Sequence, residues 1–379
     1  MKTPVLILSA LLCTSCFKMP DDSFVPPVDV PLDFDWKTIE SKQLVLNTVS
    51  SILNESGDTV ASFLPAGTYD IVTGKGSALT VKAEAQSVQT KAGNNNFQRI
   101  YFPAKGKYAT VMFEDLFPSK GDMDMNDVVF GLNIEYDLTN QLLVNSITLT
   151  IQPRAIGSSY ETIGIAANLS YRFPIDIVDY VVYDNGPNVS GLFSINRVNK
   201  GYTPEMYNYL SQVIPLTGDY REYFDNDKDL FLNVRNIDTF TNSEEFSVKI
   251  YFKSSSLVSY SNFTFLDATN SSKVNLDLFT VFKYRWQEVH FKDQSPTERF
   301  NTSLFIATRP LTNFSTVDNW VWAIISEKSI RHPREFVKIY KAYPDFKLWA
   351  ESSGNTNLNW YSNSVIDSLY TAGSFNYIN

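Results

Sequence analysis

Cysteine is nearly absent from this chain, and the absence restricts how the fold is held together. Its two cysteines, Cys13 and Cys16, lie close to the N-terminus of a 379-residue sequence. The rest of the chain can therefore form no disulfide, and an exported domain of this size must be stabilised by core packing, with or without a bound metal. Histidine is equally scarce, because His290 and His332 are the only two. After the first residues no apolar run reaches 18 residues, so no transmembrane helix is predicted.

Positive charge is also in short supply. Lysine and arginine number 32 against 41 aspartates and glutamates, which gives a net charge of −9. This balance argues against a nucleic-acid partner, which requires a basic surface. Charged residues make up only 19% of the chain, whereas aromatic residues reach 14% and can fill β-sheet cores. The length is sufficient for two or three domains.

The N-terminus has the features of a bacterial lipoprotein signal. The apolar run from Val5 to Leu12 is too short to span a bilayer, and small Ser15 directly precedes Cys16. We therefore predict a signal peptide at residues 1–15, a lipid on Cys16, and an outer-membrane protein exposed at the cell surface. Residues 16–35 are rich in proline and aspartate and are predicted to form an extended tether. An ordinary secretory peptide with a chance cysteine is the alternative.

Hydrophobic residues alternate with polar ones along much of the chain. Ile147, Leu149 and Ile151, for example, alternate with Thr148 and Thr150. This period of two, interrupted by clusters of turn residues, predicts a mainly β protein. The expected fold class is one of antiparallel β-sandwich or jelly-roll-like domains with one or two short helices.

Two helices and a domain boundary are also predicted. Thr203 to Ile214 has a capping threonine, a proline at its first position and an early glutamate, and Pro344 to Glu351 is a second candidate. We predict a small N-terminal β module at residues 36–92. The larger β-sandwich region follows at residues 93–379.

An acidic loop at residues 113–130 carries the most chemical information. It places five carboxylates and one amide within fourteen residues, namely Glu114, Asp115, Asp122, Asp124, Asn126 and Asp127. Asp122, Asp124 and Asn126 alternate with Met123 and Met125, so their oxygens can turn to one side. The flanking segments, Tyr108 to Phe113 and Val128 to Tyr136, have strand character, which predicts a strand–loop–strand site.

Such a cluster of carboxylates repels itself unless a cation or N–H donors neutralise it. Oxygen ligands at this density suit Ca²⁺, while zinc is disfavoured because no His or Cys lies nearby. The glycine and glutamate positions of an EF-hand are not matched. We predict a structural Ca²⁺ with Asp122, Asp124, Asn126 and Asp127 as direct ligands, and with Glu114 and Asp115 completing or orienting the shell. A metal-free acidic turn is the alternative.

Other candidate sites have weaker support. Trp320, Trp322, Trp349 and Trp360 are candidates for stacking on a sugar ligand, and core packing is the alternative. Asp225, Asp227 and Asp229 alternate, and they form either a solvated turn or a second cation site. No nucleophile motif accompanies the two histidines, so we predict no enzymatic activity, although paired carboxylates leave a hydrolase formally open.

Several segments together resemble LruC-domain lipoproteins, whose domain has no established activity. The matching segments, in the same order as in that family, are 113–130, 149–164, 288–297, 320–324 and 340–361. The resemblance implies an envelope lipoprotein. Combined with the acidic loop, it predicts a lipid-anchored, calcium-stabilised surface protein that acts in extracellular binding, adhesion or assembly. The expected partners are the membrane, through the N-terminal lipid, and an extracellular protein or glycan. A glycan-binding lipoprotein of a polysaccharide uptake system is the alternative.

Overall fold

A computed structural model describes most of the chain. The described residues are 28–84, 98–173, 175–184, 187–189, 191–206, 210–226, 228–270, 272–308, 313–373 and 375–378. The predicted signal peptide, the predicted lipidation site Cys16 and Asp227 lie outside them.

The mainly β prediction is confirmed, because strands account for 40% of the residues and helices for 9%. The strands are β1 (Ile39–Leu46), β2 (Ser50–Asn54), β3 (Thr59–Leu64), β4 (Gly67–Gly74), β5 (Leu79–Ala83), β6 (Gln98–Phe102), β7 (Ala109–Phe113), β8 (Val128–Leu138), β9 (Val144–Ala155), β10 (Ile163–Ser170), β11 (Val178–Tyr183), β12 (Arg197–Val198), β13 (Gly201–Tyr202), β14 (Glu205–Met206), β15 (Ser211–Thr217), β16 (Phe246–Phe252), β17 (Phe263–Phe265), β18 (Val274–Phe282), β19 (Glu288–His290) and β20 (Ala323–Ser326). Two short helices follow, α1 (Ile339–Ala342) and α2 (Pro344–Glu351). Short 3-10 helices lie at Tyr220–Tyr223, Tyr260–Asn262, Thr302–Thr308, Trp360–Ser362 and Ile366–Ser368.

The strands form two large sheets and one separate pair. A twelve-stranded sheet has the order β12-β13-β11-β16-β9-β8-β6-β3-β2-β5, with β7 on β8 and β20 on β7. A six-stranded sheet has the order β14-β15-β10-β18-β17, with β19 on β18, and β1 pairs with β4. Among the described strands only β17 and β18 run parallel. This arrangement agrees with the predicted antiparallel sandwich.

One continuous core joins these sheets. The alternating residues Ile147, Leu149 and Ile151 of β9 are fully buried in it, together with Leu276 of the six-stranded sheet. Ile52 of β2 lies in the same core, and β3 pairs with β6 across residues 85–97. The predicted boundary at residue 92 falls among residues that the structure does not describe, and it stays a prediction. The strands on its two sides nevertheless share a sheet and a core.

One helix prediction is confirmed and the other is wrong. The segment Pro344 to Glu351 forms α2, with its proline in the first turn. The segment Thr203 to Ile214 instead contains β14 and the start of β15. All of β15 is buried and pairs with β10, so sheet formation by this apolar, β-branched stretch overrides the local capping preference.

The last residues of the predicted tether, 30–35, pack against the folded body, whereas residues 16–27 lie outside the described residues. Val30 and Phe34 are buried in a second core, where Phe34 contacts Trp349 edge-on with ring centroids 4.9 Å apart. Asn319 donates its side-chain N–H to the carbonyl oxygens of Pro31 and Phe34 at 2.6 and 3.0 Å. The chain is therefore packed against the body by residue 30, because these apolar side chains have an aromatic surface to bury against.

Candidate metal centre

The acidic loop connects two adjacent antiparallel strands. Residues 114–127 join β7 to β8, and Phe113 lies opposite Val128 where the loop begins and ends. The predicted strand–loop–strand arrangement is confirmed. On its other edge β7 pairs with β20, and the backbone N–H of Glu114 donates to the carbonyl oxygen of Trp322 at 2.9 Å. The base of the loop is thus fixed by strands on both sides.

The backbone of the loop alternates in conformation. Gly121, Met123 and Met125 have positive φ angles of 68°, 63° and 57°. Left-handed backbone is unfavourable for methionine, and such strain is concentrated at functional sites. Met125 is fully buried in the second core and Met123 packs against it. Both methionines therefore contact the second core.

Three carboxylates converge on one point. Oxygens of Glu114, Asp122 and Asp124 all lie within 4.8 Å of one another. Glu114 is fully buried, and its Oε1 accepts the backbone N–H of Met125 at 2.6 Å. Its Oε2 has no hydrogen-bond partner among the described residues. A buried carboxylate oxygen without a donor is costly, and a cation would satisfy it.

Two glycines make room for these oxygens. An added Cβ at Gly121 would lie 2.8 Å from Glu114 Oε2. At Gly157 it would lie 1.9 Å from Asn126 Oδ1, which is another fully buried oxygen without a partner among the described residues. Any larger residue at either position would displace an oxygen that faces the loop interior.

Asp115 and Asp127 form a second part of the loop. Asp127 Oδ2 accepts the backbone N–H of Asp115 at 2.7 Å, and Ser158 donates its hydroxyl to Asp115 Oδ2 at 2.6 Å. Glu114, which the sequence analysis placed at the edge of the site, belongs to the tight group of carboxylates. Asp127, predicted as a direct ligand, accepts this backbone hydrogen bond through Oδ2 and lies outside the group of three converging carboxylates. The exact ligand set stays a prediction.

Glu335 is the acidic residue that sequence reasoning missed. Burial has the largest effect on the pKa of Glu114 and Asp124, and the charge of Glu335 raises both further. The Oε2 of Glu335 is itself buried without a partner among the described residues. The next residue, Phe336, donates its backbone N–H to Asp124 Oδ2 at 2.7 Å. More than 200 residues separate Glu335 from the loop, and no local spacing signals the contact.

The cluster is poorly neutralised by the protein itself. Burial, followed by repulsion from neighbouring carboxylates, raises the pKa of Glu114, Asp124 and Asp127 well above the usual range. Burial and the charge of Asp122 raise the pKa of Glu335 to about 8. Lys338 opposes the shift at Asp122 and Arg235 opposes it at Glu335, while the backbone N–H groups of Met125 and Phe336 oppose it at Glu114 and Asp124. The chemistry of this donor set, which offers only oxygens, fits a hard divalent cation.

A family model matches the part of the chain that contributes Ser158 and Glu335 to this site. Residues 143–361, more than half of the chain, match the model of a domain of unknown function, DUF4842. The chain belongs to the DUF4842 family. The matched region contains Ser158 and Glu335, whereas the acidic loop precedes it. Comparison with curated proteins finds no match to this DUF4842 protein.

The fold is also similar to that of a solved structure. A candidate lipoprotein from Bacteroides ovatus, determined by crystallography at 2.08 Å resolution, superimposes with a TM-score of 0.50. The alignment covers 88% of this chain and 94% of the other at 18% sequence identity. At this identity the likeness concerns the fold.

The four tryptophans proposed as a sugar platform are core residues in this DUF4842 protein, so that prediction is wrong. Trp320, Trp322, Trp349 and Trp360 are at most 3% exposed. Trp349 packs between Phe34, Trp36, Phe346 and Trp360. Their ring faces are occupied by protein and present no surface for a ligand.

The second acidic cluster has a different character from the loop. Asp225 and Asp229 are exposed, and Asp229 accepts a hydrogen bond from the side chain of Asn226 at 2.5 Å. Asp227 lies outside the described residues. The described part of this segment has the features of a solvated turn.

Within the described chain, no helix has the length and apolar character that crossing a membrane requires.

His290 belongs to a buried charge network. Its Nδ1 lies 2.5 Å from Asp277 Oδ2 and its Nε2 lies 3.0 Å from Glu288 Oε2. Glu288 also accepts the backbone N–H of Thr297 at 2.9 Å and contacts Arg285. Although burial alone would lower it, the two carboxylates raise the pKa of His290 to about 9. His290 is therefore a buried cation held between two carboxylates.

We expect the stability of the protein to fall as pH rises through this pKa. His290 binds its proton more tightly in the folded state than at the ordinary pKa of 6.5. The contribution of His290 to the free energy of unfolding is therefore complete below pH 6.5 and is lost as pH rises towards about 9. Urea unfolding across this range, with calcium present, should show a loss on the order of 3 kcal/mol, since one pKa unit corresponds to about 1.4 kcal/mol.

His332→Gln is the matched control for this pH dependence. Burial lowers the pKa of His332 to about 4, so this histidine is neutral throughout the range. His290→Gln should be less stable than wild type and should lose the slope, whereas His332→Gln should keep it. An unchanged slope in His290→Gln would assign the pH dependence to other groups.

Proposed function

We propose that this protein is a lipid-anchored surface protein whose β-sandwich is stabilised by one Ca²⁺ at the acidic loop. In this proposal the ion links the β7–β8 connection to the segment that contains Glu335. It has a structural role in this proposal, because the loop lies between two paired strands and the hydroxyl of Ser158 is engaged in a hydrogen bond to Asp115. The rigid sandwich then presents a surface for extracellular binding, adhesion or assembly.

The convergence of Glu114, Asp122 and Asp124 supports this proposal most strongly. Ca²⁺ takes six to eight oxygens in flexible geometry, and the loop supplies carboxylates and the free Oδ1 of Asn126. The donor set lacks nitrogen and sulfur, which zinc prefers. Asp115 and Asp127 would orient the loop around the ion, and Glu335 would close the site from the C-terminal side.

Elemental analysis of the purified protein tests the metal. Wild-type protein should retain calcium after desalting, in proportion to the number of chains. Glu114→Gln keeps the shape of the side chain and removes its charge, so this variant should retain little. Glu222→Gln, an exposed substitution elsewhere, should retain as much as wild type. Equal calcium in all three proteins would contradict a site at Glu114.

The lipoprotein part of the proposal extends the LruC resemblance. The segments that carry it include the acidic loop, Ser158 and the Glu288–His290 strand, and these residues form the two buried polar networks described above. A related fold occurs in a candidate lipoprotein. We propose that this protein belongs to that group of envelope proteins and is held at the outer membrane by a lipid on Cys16.

We expect Cys16→Ala to abolish membrane anchoring. Cells grown with a labelled fatty acid should label the wild-type protein and should not label the variant, which should appear in the soluble fraction. Several acyl chains on one cysteine would anchor stably, since each buried methylene contributes about 0.8 kcal/mol. Ser15→Ala, which keeps a small residue before the cysteine, is the control and should still be labelled. Equal membrane retention of Cys16→Ala would contradict the lipid anchor.

Protease treatment of intact cells would then test surface exposure. A surface-exposed protein should be degraded without cell lysis, whereas a periplasmic one should survive until the cells are opened. The expected result is degradation in intact cells. Protection in intact cells would restrict the proposed role to the periplasm.

A further inference from the structure

One face of the six-stranded sheet carries a patch of polar side chains outside the main core. Ser170 of β10 lies opposite Ser211 of β15 on one side and opposite Asn275 of β18 on the other. Asn168 is two residues earlier on the same strand and therefore on the same face, opposite Asp277. Leu169, which lies between them on β10, is buried in the main core. The patch is thus built by the register of three paired strands.

A cavity of about 400 Å³ lies over this patch. Its floor contains Asn168, Ser170, Ser211 and Asn275. Its rim is formed by other segments, which contribute Tyr171, Arg172, Lys273, Pro296 and Glu298. The volume falls in the range of small-molecule sites, about 300–1,000 Å³.

Two polar groups that line the cavity lack partners. Asn168 is 2% exposed, and its Oδ1 accepts no hydrogen bond from the described residues. Glu298 Oε1 is likewise buried without a partner among them, while its Oε2 accepts the hydroxyl of Ser211 at 3.4 Å. Buried polar atoms are nearly always paired in folded proteins. Their presence at one cavity points to a ligand that would pair with them.

The remaining polar groups are held in place by the protein. Asn275 donates its side-chain N–H to Gln294 Oε1 at 2.7 Å and accepts the backbone N–H of Asp267 at 2.8 Å. Lys273 pairs with Asp70 at 3.1 Å, so its charge is already neutralised. A strongly anionic ligand would meet the carboxylate of Glu298 and would gain little from Lys273. The polar floor equally disfavours an apolar ligand.

We propose that this cavity binds a saccharide. Sugar hydroxyls donate and accept hydrogen bonds at once, which matches an amide that offers an acceptor oxygen and a donor nitrogen beside a carboxylate that only accepts. In this arrangement Asn168 and Glu298 bind neighbouring hydroxyls of the sugar. The site shares no residue with the acidic loop, so it goes beyond the calcium role and can fail independently of it.

Saturation-transfer NMR and calorimetric titration of the purified full chain would test the site. The probes are a panel of neutral hexoses, N-acetylhexosamines and their methyl glycosides. At least one probe should bind saturably to wild type. Asn168→Leu and Glu298→Gln should each weaken that binding about tenfold or more, the loss expected when a well-formed hydrogen bond is removed. Asn145→Leu, an exposed substitution on β9, is the control and should bind as wild type does.

Thermal unfolding of the same variants separates binding from folding. Asn168→Leu replaces an unpaired buried amide with an apolar group of similar size, so it should melt at or above the wild-type temperature. If this variant fails to fold, Glu298→Gln alone decides the question. The proposal is overturned if no saccharide of the panel binds to wild type, or if Glu298→Gln binds as tightly as wild type does.

Discussion

Trp349→Ala should reduce the free energy of unfolding by about 3–5 kcal/mol, the range for removing a large buried aromatic side chain. Trp349 is 1% exposed and contacts rings from three parts of the chain: Phe34 near the N-terminus, Phe346 on the same helix, and Trp360 beyond it. Its removal would leave a cavity where these segments meet. Chemical denaturation of the purified variant measures the loss.

Trp286→Ala is the matched control for this prediction. Trp286 is 40% exposed and stacks on Tyr284, so its truncation should cost clearly less stability than that of Trp349. A Trp349→Ala variant as stable as wild type, but with weaker binding to a polysaccharide, would restore the sugar platform and contradict the core assignment.

Removal of calcium should produce the second large loss of stability. An ion that binds only the folded state stabilises it by about 2.7 kcal/mol at a hundredfold excess over its dissociation constant. The wild-type protein should therefore melt at a lower temperature, by several degrees, after treatment with a calcium chelator. Added calcium should restore the original melting temperature.

Asp122→Asn should abolish this response. Asp122 belongs to the group of three converging carboxylates. Asparagine has nearly the same shape as aspartate but carries no charge. The metal-free variant should melt above the metal-free wild type, because one charge has been removed from a repelling cluster. Asp179→Asn, which neutralises an exposed carboxylate on β11, should respond to calcium as wild type does. An identical calcium response in Asp122→Asn would place the ion elsewhere.

Local patterns in the sequence predicted local structure well. Alternation along β9 identified a buried strand, and the flanks of the acidic loop identified β7 and β8. The proline at the start of α2 marked a real helix. Each of these signals depends on residues within a few positions of one another, and burial in the final fold agrees with the local preference.

The predictions failed where contacts between segments far apart in the sequence determine the structure. Thr203 to Ile214 has good capping residues, yet Glu205 pairs with Arg285 at 2.8 Å and β15 pairs with β10. The tryptophans contact an N-terminal segment that was predicted to be a free tether. Glu335 is brought close to the acidic loop by the tertiary structure and by no local sequence pattern. No spacing rule connects residues so far apart, so these contacts required the three-dimensional structure.

The binding of calcium to the chelator-treated protein is the most direct test of the central claim. Calorimetric titration should show a single saturable site in wild type and no measurable site in Asp122→Asn, with Asp179→Asn unchanged. No heat of binding in the wild type, together with a melting curve that neither chelator nor calcium shifts, would contradict the account and leave residues 114–127 as a metal-free acidic turn.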